Sequence, residues 1–302
     1  MARAQWRILD EIDCGMIVET FKNGSLRARR FCEVCCPYPS FPQPRLTWWR
    51  APSIPATMPK ITDQIPETAI AVYSGGMDST VMLYSMLEQG VDLRGAMSVD
   101  YGQKHRKEIL VAKEICERLG MEHRIVDLRS IATLFGSSGL TDSDTDVPEG
   151  HYEEVSMKQT VVPNRNMILI SLATAWAIKK GAEAVAYAAH SGDHAIYPDC
   201  RESFANALDQ AMQLCDWGEI RLYRPFVNSS KSEIVAEGHR LGSPLGSTWS
   251  CYKGGDLHCG KCGTCIERRE AFHLAGVQDP TSYSASAPSV ETLVAQNWHL
   301  LT

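Results

Sequence analysis

The chain has 302 residues, of which 44% are hydrophobic and 22% are charged, values that suit a globular protein with a sizeable core and exclude collagen-like and wholly disordered chains. Its net charge of −6 argues against a stable nucleic-acid partner, because phosphate contacts need a basic surface. The sequence has neither a run of about 18 apolar residues for a membrane-spanning helix nor an apolar signal-peptide core at its acidic N-terminus, and therefore predicts a cytoplasmic protein with no membrane partner.

Residues 1–66 are predicted to form an irregular or disordered arm. Eight of the 15 prolines lie between Pro37 and Pro66, and proline at this density cannot enter a helix interior or a central strand. Cys32, Cys35 and Cys36 lie in the same arm, but no second cysteine pair lies near them to complete the four ligands that zinc prefers.

Residues 67–245 alternate short apolar segments with amphipathic ones, as expected for an α/β domain. The predicted strands are 68–73, 93–100, 123–128, 183–190 and 221–226, and the predicted helices are 78–90, 104–120, 166–181 and 229–242. Ser230 and Glu233 are spaced as a capping box at the start of the last helix. Strand–helix alternation of this kind predicts a parallel sheet with helices on both faces.

A Ser/Gly loop, residues 73–80, lies between the first strand and the first helix of this domain. The placement predicts an anion site, because free backbone N–H groups and the helix dipole point at the bound group. Gly75 and Gly76 would let phosphate oxygens approach the backbone. The loop has neither the lysine of GxxxxGK[ST] nor the spacing of GxGxxG. The alternative is a Ser/Gly turn in which Asp78 only caps the helix.

Four cysteines, Cys251, Cys259, Cys262 and Cys265, lie close together among glycines near the end of the chain. Four thiols at this spacing fit a closed, structural, tetrahedral Zn²⁺ site. An iron–sulfur cluster is the alternative, because CxxCxxC also occurs in such sites. The total of 11 cysteines is odd and argues against a disulfide framework. Residues 246–302 are therefore predicted to be a zinc-binding C-terminal region with a tail.

Further polar side chains follow the predicted strands, at the edge where open α/β sheets bind their ligands. They lie in DYGQKH (100–105), VPNRN (162–166) and GDHAIYPDCR (192–201) and at the start of the last helix. The substrate or catalytic candidates among them are Arg165, Asp193, Asp199, Arg201 and Lys231. Each alone suits an ordinary solvated loop residue, but together, after successive strands, they predict a ligand site.

The loop SGGMDST resembles the pyrophosphate loop of the N-type ATP pyrophosphatases, which have an adenine nucleotide alpha-hydrolase-like fold and cleave ATP between its α and β phosphates. Taken with DYGQKH, VPNRN, GDHAIYPDCR, KSEI and TWSCYKGGDLHCGKCGTCIERREAF, it makes residues 68–275 similar to the 7-cyano-7-deazaguanine synthase family of queuosine biosynthesis. The arm before Met58 has no counterpart in the family's pattern, and Met77 stands where many members carry leucine or glutamine.

The resemblance implies a homodimeric, ATP-dependent ligase that converts 7-carboxy-7-deazaguanine and free ammonia to 7-cyano-7-deazaguanine through adenylated intermediates. It also implies one structural Zn²⁺ per chain on the four cysteines, and Mg²⁺ with the substrate ATP. The residues that it implies for ATP binding are Tyr73, Ser74, Gly75, Gly76, Met77, Asp78, Ser79, Thr80, Val81, Met82 and Leu83.

Substrate chemistry indicates roles for the other candidates. Asp193 or Asp199 could accept the N1–H and N2–H₂ donors of the deazaguanine, and Arg201 could pair with the substrate carboxylate. Lys231 or Arg165 could stabilise the departing pyrophosphate. Two other functions stay open. A tRNA thiolase would need a sulfur-carrying cysteine near the loop and a basic face, and a non-catalytic zinc-knuckle adaptor would not bind ATP.

Overall fold

The computed structural model describes residues 64–135, 138–142 and 144–300, together with the backbone of two short segments nearer the N-terminus. These segments are β1 (Met16–Thr20) and β2 (Leu26–Arg30), which pair in antiparallel fashion. They form regular structure within the arm for which the sequence predicts none, because the prolines on which that expectation depends all follow β2. The proline-dense residues 37–63 lie outside the described residues, as do Cys32, Cys35 and Cys36.

Five parallel strands form the main sheet, in the order β5–β4–β3–β6–β7. Their bounds are β3 (Thr68–Val72), β4 (Asp92–Asp100), β5 (His123–Asp127), β6 (Ala184–Ala186) and β7 (Arg221–Tyr223). All of them belong to the compact unit Lys60–Thr302. The domain boundaries after residues 66 and 245 remain predictions.

Helices cover both faces of this sheet. Those of the described residues are α1 (Met77–Glu88), α2 (Lys107–Leu119), α3 (Arg165–Lys180), α4 (Glu202–Met212), α5 (Lys231–Arg240), α6 (Gly263–Leu274) and α7 (Val290–Ala295). On the central strand, Ala69 and Ala71 pack in a core with α1, α2 and α5, whereas Ile70 packs in a second core with α3 and α4. The predicted fold class, a parallel sheet with helices on both faces, is confirmed.

Two strands are shorter than predicted by at least three residues, and both end for a local reason. β6 ends at Ala186 rather than at residue 190, because the next residues leave the sheet to line a cavity. β7 ends at Tyr223, two residues before Pro225, which has no N–H to donate to a strand ladder. Helices α4, α6 and α7 were not predicted from the sequence pattern.

Candidate active site

An open cavity lies at the carboxyl ends of β3, β4 and β6, the edge where the sequence predicts a ligand site. Six of the predicted ATP-binding residues line it, namely Tyr73, Ser74, Gly76, Met77, Asp78 and Ser79. The other five do not line it, and of these Thr80, Val81, Met82 and Leu83 are fully buried in α1. The loop and the first residues of α1 therefore face the cavity. The residues that follow them in α1 are buried and anchor the loop in the core.

Gly75 lets the loop pack against α2. Its φ is +81°, a conformation that favours glycine, and a Cβ built there would lie 2.3 Å from the backbone oxygen of Glu108. No side chain fits in that gap, because the neighbouring atom is backbone and cannot rotate away. The glycine predicted to let phosphate approach is thus required, first of all, for the contact between the loop and α2.

Hydroxyl groups brace the loop from within. Ser74 Oγ lies 3.2 Å from Ser79 Oγ and accepts a hydrogen bond from the N–H of Gly76 at 3.2 Å. Thr80 Oγ1 donates to the carbonyl of Gly76 at 2.8 Å. Because these bonds hold the backbone in place, the loop is preorganised at the N-terminus of α1, where an anion is favoured.

Lys231 is the cation that faces this loop. Ser230 caps α5 through the predicted capping box with Glu233, and Lys231, the first residue of the helix, places Nζ 2.8 Å from Asp78 Oδ2. Burial lowers the pKa of the Lys231 ammonium, but the carboxylates of Asp78 and Glu267 outweigh it and raise that pKa above its usual range. The ammonium therefore stays charged beside the loop.

Arg165 lies in the same cavity, in an aromatic wall. Its guanidinium carbon is 6.0 Å from the centre of the Tyr197 ring, and Tyr197 Oη in turn lies 3.3 Å from Tyr252 Oη. Tyr101 and Tyr152 complete the group. Burial raises the pKa of all four phenols, so the wall is neutral and aromatic around one fixed positive charge.

Asp193 is the candidate carboxylate that the structure brings to the cavity wall. Its Oδ1 accepts a hydrogen bond from Tyr152 Oη at 2.8 Å, and its Oδ2 accepts one from the N–H of His190 at 3.3 Å. A side chain held by two donors is well suited to orient a planar ligand, because its remaining lone pairs point in fixed directions.

The structure does not place Asp199 and Arg201 on the cavity wall. Asp199 Oδ2 accepts a hydrogen bond from the N–H of Asn166 at 3.0 Å, at the start of α3. The exposed Arg201 donates from Nε to the carbonyl of His194 at 2.9 Å. Of the five candidates, Arg165, Asp193 and Lys231 therefore share the cavity, and the substrate roles considered for the other two remain predictions.

Glu108 is a cavity residue that sequence reasoning missed. It lies on α2 and lines the cavity near the Ser/Gly loop of residues 73–80, which is called the phosphate loop below. Burial raises the pKa of its carboxyl group to about 7, although the guanidinium of Arg165 acts in the opposite direction. Its motif, KHRKEI, only indicates an exposed helix start, and nothing in that spacing shows that the first turn of α2 faces the loop.

The four cysteines form one compact group. The Sγ atoms of Cys251, Cys259, Cys262 and Cys265 all lie within 4.8 Å of one another, and Cys259 and Cys265 are 3.8 Å apart. A tetrahedral zinc site with Zn–S bonds of about 2.3 Å requires sulfur atoms separated by roughly this distance. The donor set and its spacing therefore fit one metal ion.

His258, next to these cysteines in sequence, is not available as a substitute ligand. It is buried against Trp249, with ring centres 4.2 Å apart, and its Nε2 accepts a hydrogen bond from the N–H of Ser250 at 3.2 Å. Burial lowers the pKa of its imidazole to about 4. The ring therefore packs beneath Trp249 and is not exposed at the metal site.

Comparison with known proteins decides the family. The model of the family described as queuosine biosynthesis protein QueC matches residues 68–276, which include the loop, the cavity residues and the four cysteines. This chain belongs to the QueC family. It is 52% identical over 217 residues to the 7-cyano-7-deazaguanine synthase of Ruegeria pomeroyi, covering 71% of this chain and 94% of that protein. The 7-cyano-7-deazaguanine synthase of Methanoregula boonei is 52% identical over 215 residues, covering 71% and 98%.

The predicted resemblance is thus confirmed, and the chain is an enzyme of queuosine biosynthesis. Among solved structures it is similar to the NH3-dependent NAD synthetase of Campylobacter jejuni, at 15% identity and a TM-score of 0.38, covering 70% of this chain and 76% of that one. The QueC match rather than this likeness identifies the family. Within the described residues, the helices are too short or too polar to cross a bilayer.

Proposed function

We propose that this QueC-family chain is an ATP-dependent ligase that converts 7-carboxy-7-deazaguanine and ammonia to 7-cyano-7-deazaguanine through adenylated intermediates. The observation that supports this proposal most directly is the shared cavity. The phosphate loop, Lys231, Asp193 and Arg165 all line it. A nucleotide and a small planar acid could therefore meet in one place, and the relatives named as 7-cyano-7-deazaguanine synthases cover the same residues.

The first half of the reaction makes an amide. The substrate carboxylate oxygen attacks the α-phosphorus of ATP, and the bond to pyrophosphate breaks, which gives an acyl-adenylate. Ammonia then attacks the acyl carbon, AMP leaves with one carboxylate oxygen, and the nitrogen loses a proton. The backbone amides of the loop and the ammonium of Lys231 are suited to hold the departing pyrophosphate, since both are fixed before the charge develops.

The second half removes the remaining oxygen. The amide oxygen attacks the α-phosphorus of a second ATP and releases a second pyrophosphate. Loss of AMP together with the last N–H protons gives the nitrile, so that both carboxylate oxygens leave on AMP and two ATP are consumed for each nitrile. One loop can serve both adenylations, because the attacking oxygen occupies the same position in each.

Substrate recognition is proposed for the two cavity residues that remain. Asp193 would accept the N1–H and N2–H₂ donors of the deazaguanine, a paired contact that one carboxylate can make. Arg165, among neutral tyrosine rings, is suited to the substrate carboxylate, for which its planar fork is the better match than a lysine.

Two metal ions are part of the proposal. Asp78 Oδ1 is a buried carboxylate oxygen without a hydrogen-bond partner, as expected of a ligand for Mg²⁺, which would neutralise phosphate charge when bound with ATP. The four cysteines would hold a structural Zn²⁺. Their close spacing favours a single ion, because a cluster with several irons would hold its cysteines farther apart.

The thiolase alternative is weakened by the chemistry of the cavity cysteine. Cys200 lines the cavity, but burial raises the pKa of its thiol, and Asn166 Nδ2 lies 3.2 Å from its Sγ. A sulfur carrier needs an accessible thiolate. A zinc-knuckle adaptor would need neither the phosphate loop nor Lys231 beside it.

The test uses the purified full chain with ATP, 7-carboxy-7-deazaguanine and ¹⁵N-ammonium. Mass spectrometry should detect the nitrile with one ¹⁵N and AMP at about two equivalents, the balance derived above. Product that stops at the amide would limit the proposal to its first half, and absence of AMP would refute it. Light scattering tests the implied homodimer, and a filter-binding assay with tRNA tests the expected lack of a stable nucleic-acid partner.

A further inference from the structure

Glu267 joins the cysteine-bearing helix to Lys231, the first residue of α5, which faces the phosphate loop. It lies on α6, which begins at Gly263 directly after Cys262, and its side chain is 10% exposed. Its Oε2 lies 3.1 Å from Lys231 Nζ, and its Oε1 lies 3.7 Å from His190 Nε2. No motif in the sequence indicates this contact, and the reaction proposed above does not use it.

Three groups surround the Lys231 ammonium: Asp78 accepts a hydrogen bond from it, Glu267 forms an ion pair with it, and His190 lies beside it. Asp78 Oδ2 is 2.8 Å away, Glu267 Oε2 is 3.1 Å away, and His190 Nε2 is 3.2 Å away. His190 Nδ1 accepts a hydrogen bond from the N–H of Gly192 at 3.1 Å, which assigns the proton of a neutral ring to Nε2. His190 therefore presents a donor to Lys231, and the two carboxylates alone hold the ammonium.

These carboxylates hold Lys231 from opposite parts of the fold. Asp78 belongs to α1 and to the phosphate loop, and it is itself the candidate ligand for Mg²⁺. Glu267 belongs to α6, whose first turn contains Cys265 and is fixed by the cysteine group. When a bound cation engages Asp78, Glu267 is the partner of Lys231 that remains.

We propose that Glu267 is a positioning residue, which holds the Lys231 ammonium at the phosphate loop and so couples the cysteine helix to the adenylation step. The effect on adenylation rests on the proposed function, whereas the contact between Glu267 and Lys231 does not. Without the Glu267 carboxylate, Lys231 keeps one anionic partner and its Nζ is free to leave the line of the departing pyrophosphate.

A double-mutant cycle tests whether Glu267 acts through Lys231. The variants are Glu267→Gln, Lys231→Met and the two combined, and the readout is substrate-dependent exchange of labelled pyrophosphate into ATP. Glu267→Gln should lower kcat for exchange by about tenfold with the KM for ATP within about twofold, since the affected interaction forms in the transition state. In the Lys231→Met background the same change should have no further effect.

The matched control is Glu270→Gln, the same substitution on the same helix. Glu270 contacts His151 at 3.3 Å rather than Lys231, so this variant should exchange like the wild type and combine multiplicatively with Lys231→Met. If Glu267→Gln and Lys231→Met combine multiplicatively as well, or if Glu270→Gln loses as much activity, Glu267 is only structural and the proposal is wrong.

A second readout separates this inference from the proposed function. In lysine-¹⁵N-labelled protein, the Nζ signal of Lys231, assigned by its loss in Lys231→Met, should be protected from solvent exchange in the wild type and in Glu270→Gln. It should broaden or disappear in Glu267→Gln. A protected signal that survives this change would overturn the inference even if the enzyme is active. If the wild type shows no pyrophosphate exchange, but its Lys231 signal is protected and is lost in Glu267→Gln, the proposed function alone is overturned.

Discussion

The backbone N–H of Trp249 donates a hydrogen bond to the carbonyl of Gly75 at 3.1 Å. Trp249 comes two residues before Cys251, the first residue of the cysteine group. Gly75 is the glycine that packs the phosphate loop on α2. The bond makes the cysteine segment a direct support of the loop. Changes in either segment are therefore expected to affect the other.

The first prediction concerns Gly75. Gly75→Ala should lower adenylation by at least about a hundredfold, because a Cβ there would lie 2.3 Å from the Glu108 carbonyl oxygen and must displace the loop. Gly90→Ala is the control, since Gly90 has a similar φ of +80° but no atom within 4 Å of the added Cβ. It should cost about 1–2 kcal/mol of stability from the left-handed backbone alone and leave kcat unchanged. Pyrophosphate exchange and thermal unfolding of both variants measure the difference, and equal losses of activity would contradict the steric argument.

The second prediction concerns the metal. The wild type should contain about one zinc per chain, as a single four-ligand shell requires, and should be colourless. Cys262→Ser should lose the zinc and unfold at a lower temperature, because structural zinc contributes on the order of 10 kcal/mol in small peptides. Cys215→Ser, at an exposed cysteine, should change neither property. Elemental analysis and an absorption spectrum measure both, and a brown, iron-containing protein would exclude the zinc site.

The third prediction concerns pH. Burial holds the pKa of the Glu108 carboxyl at about 7, above its ordinary value of 4.5, so the folded chain binds a proton that the unfolded chain has already released. Stability should therefore fall as pH rises from about 4.5 to 7. Glu108→Gln keeps the neutral form and should be more stable than the wild type at pH 8, on the order of 2 kcal/mol, with no difference at pH 4. Denaturant titrations at the two pH values test this, and a Glu108→Gln protein that is less stable at pH 8 would reverse the sign.

The fourth prediction separates two arginines. Arg165→Lys should raise the KM for 7-carboxy-7-deazaguanine by about tenfold, because a point charge cannot replace a planar fork beside the tyrosine rings. Arg201→Lys should change it by less than about twofold, because Arg201 is exposed and bonds to the carbonyl of His194. Steady-state kinetics on the two variants shows which arginine contributes to binding of 7-carboxy-7-deazaguanine. A larger effect at Arg201 would restore the role that substrate chemistry first indicated for it.

The fifth prediction concerns the N-terminal arm. Deletion of residues 1–57 should leave turnover within about threefold of the full chain, because a proline-rich segment contributes little to a packed core and the QueC match begins at residue 68. Activity and solubility of the shortened chain test it. An insoluble or inactive product would show that the arm supports the fold.

The sheet and the phosphate loop could be predicted because their signals are contiguous in sequence. A short apolar run, a Ser/Gly turn and a helix start follow one another between residues 68 and 80, and each has a local physical cause. The cysteine group was predictable for the same reason, since four thiols among glycines have few other uses. The QueC resemblance then joined these separate motifs.

Side chains that reach the site from other faces of the fold could not be predicted in this way. Glu267 and Glu108 lie on helices whose own sequences indicate only charged, solvated positions, and their partners are more than 30 residues away in sequence. The loop 192–201 carries both Asp193 and Arg201, and only the turn of the backbone there decides which of them faces the cavity. Tertiary packing, rather than spacing, determines these contacts.

The bond between Trp249 and Gly75 also orders events during synthesis of the chain. Every strand of the sheet is synthesised before Trp249, since β7 ends at Tyr223, and a domain generally folds as a unit. A nascent chain that has reached β7 has a complete sheet sequence but a phosphate loop that lacks its supporting N–H. The support of the loop is therefore completed late in synthesis, together with the segment that carries the four cysteines.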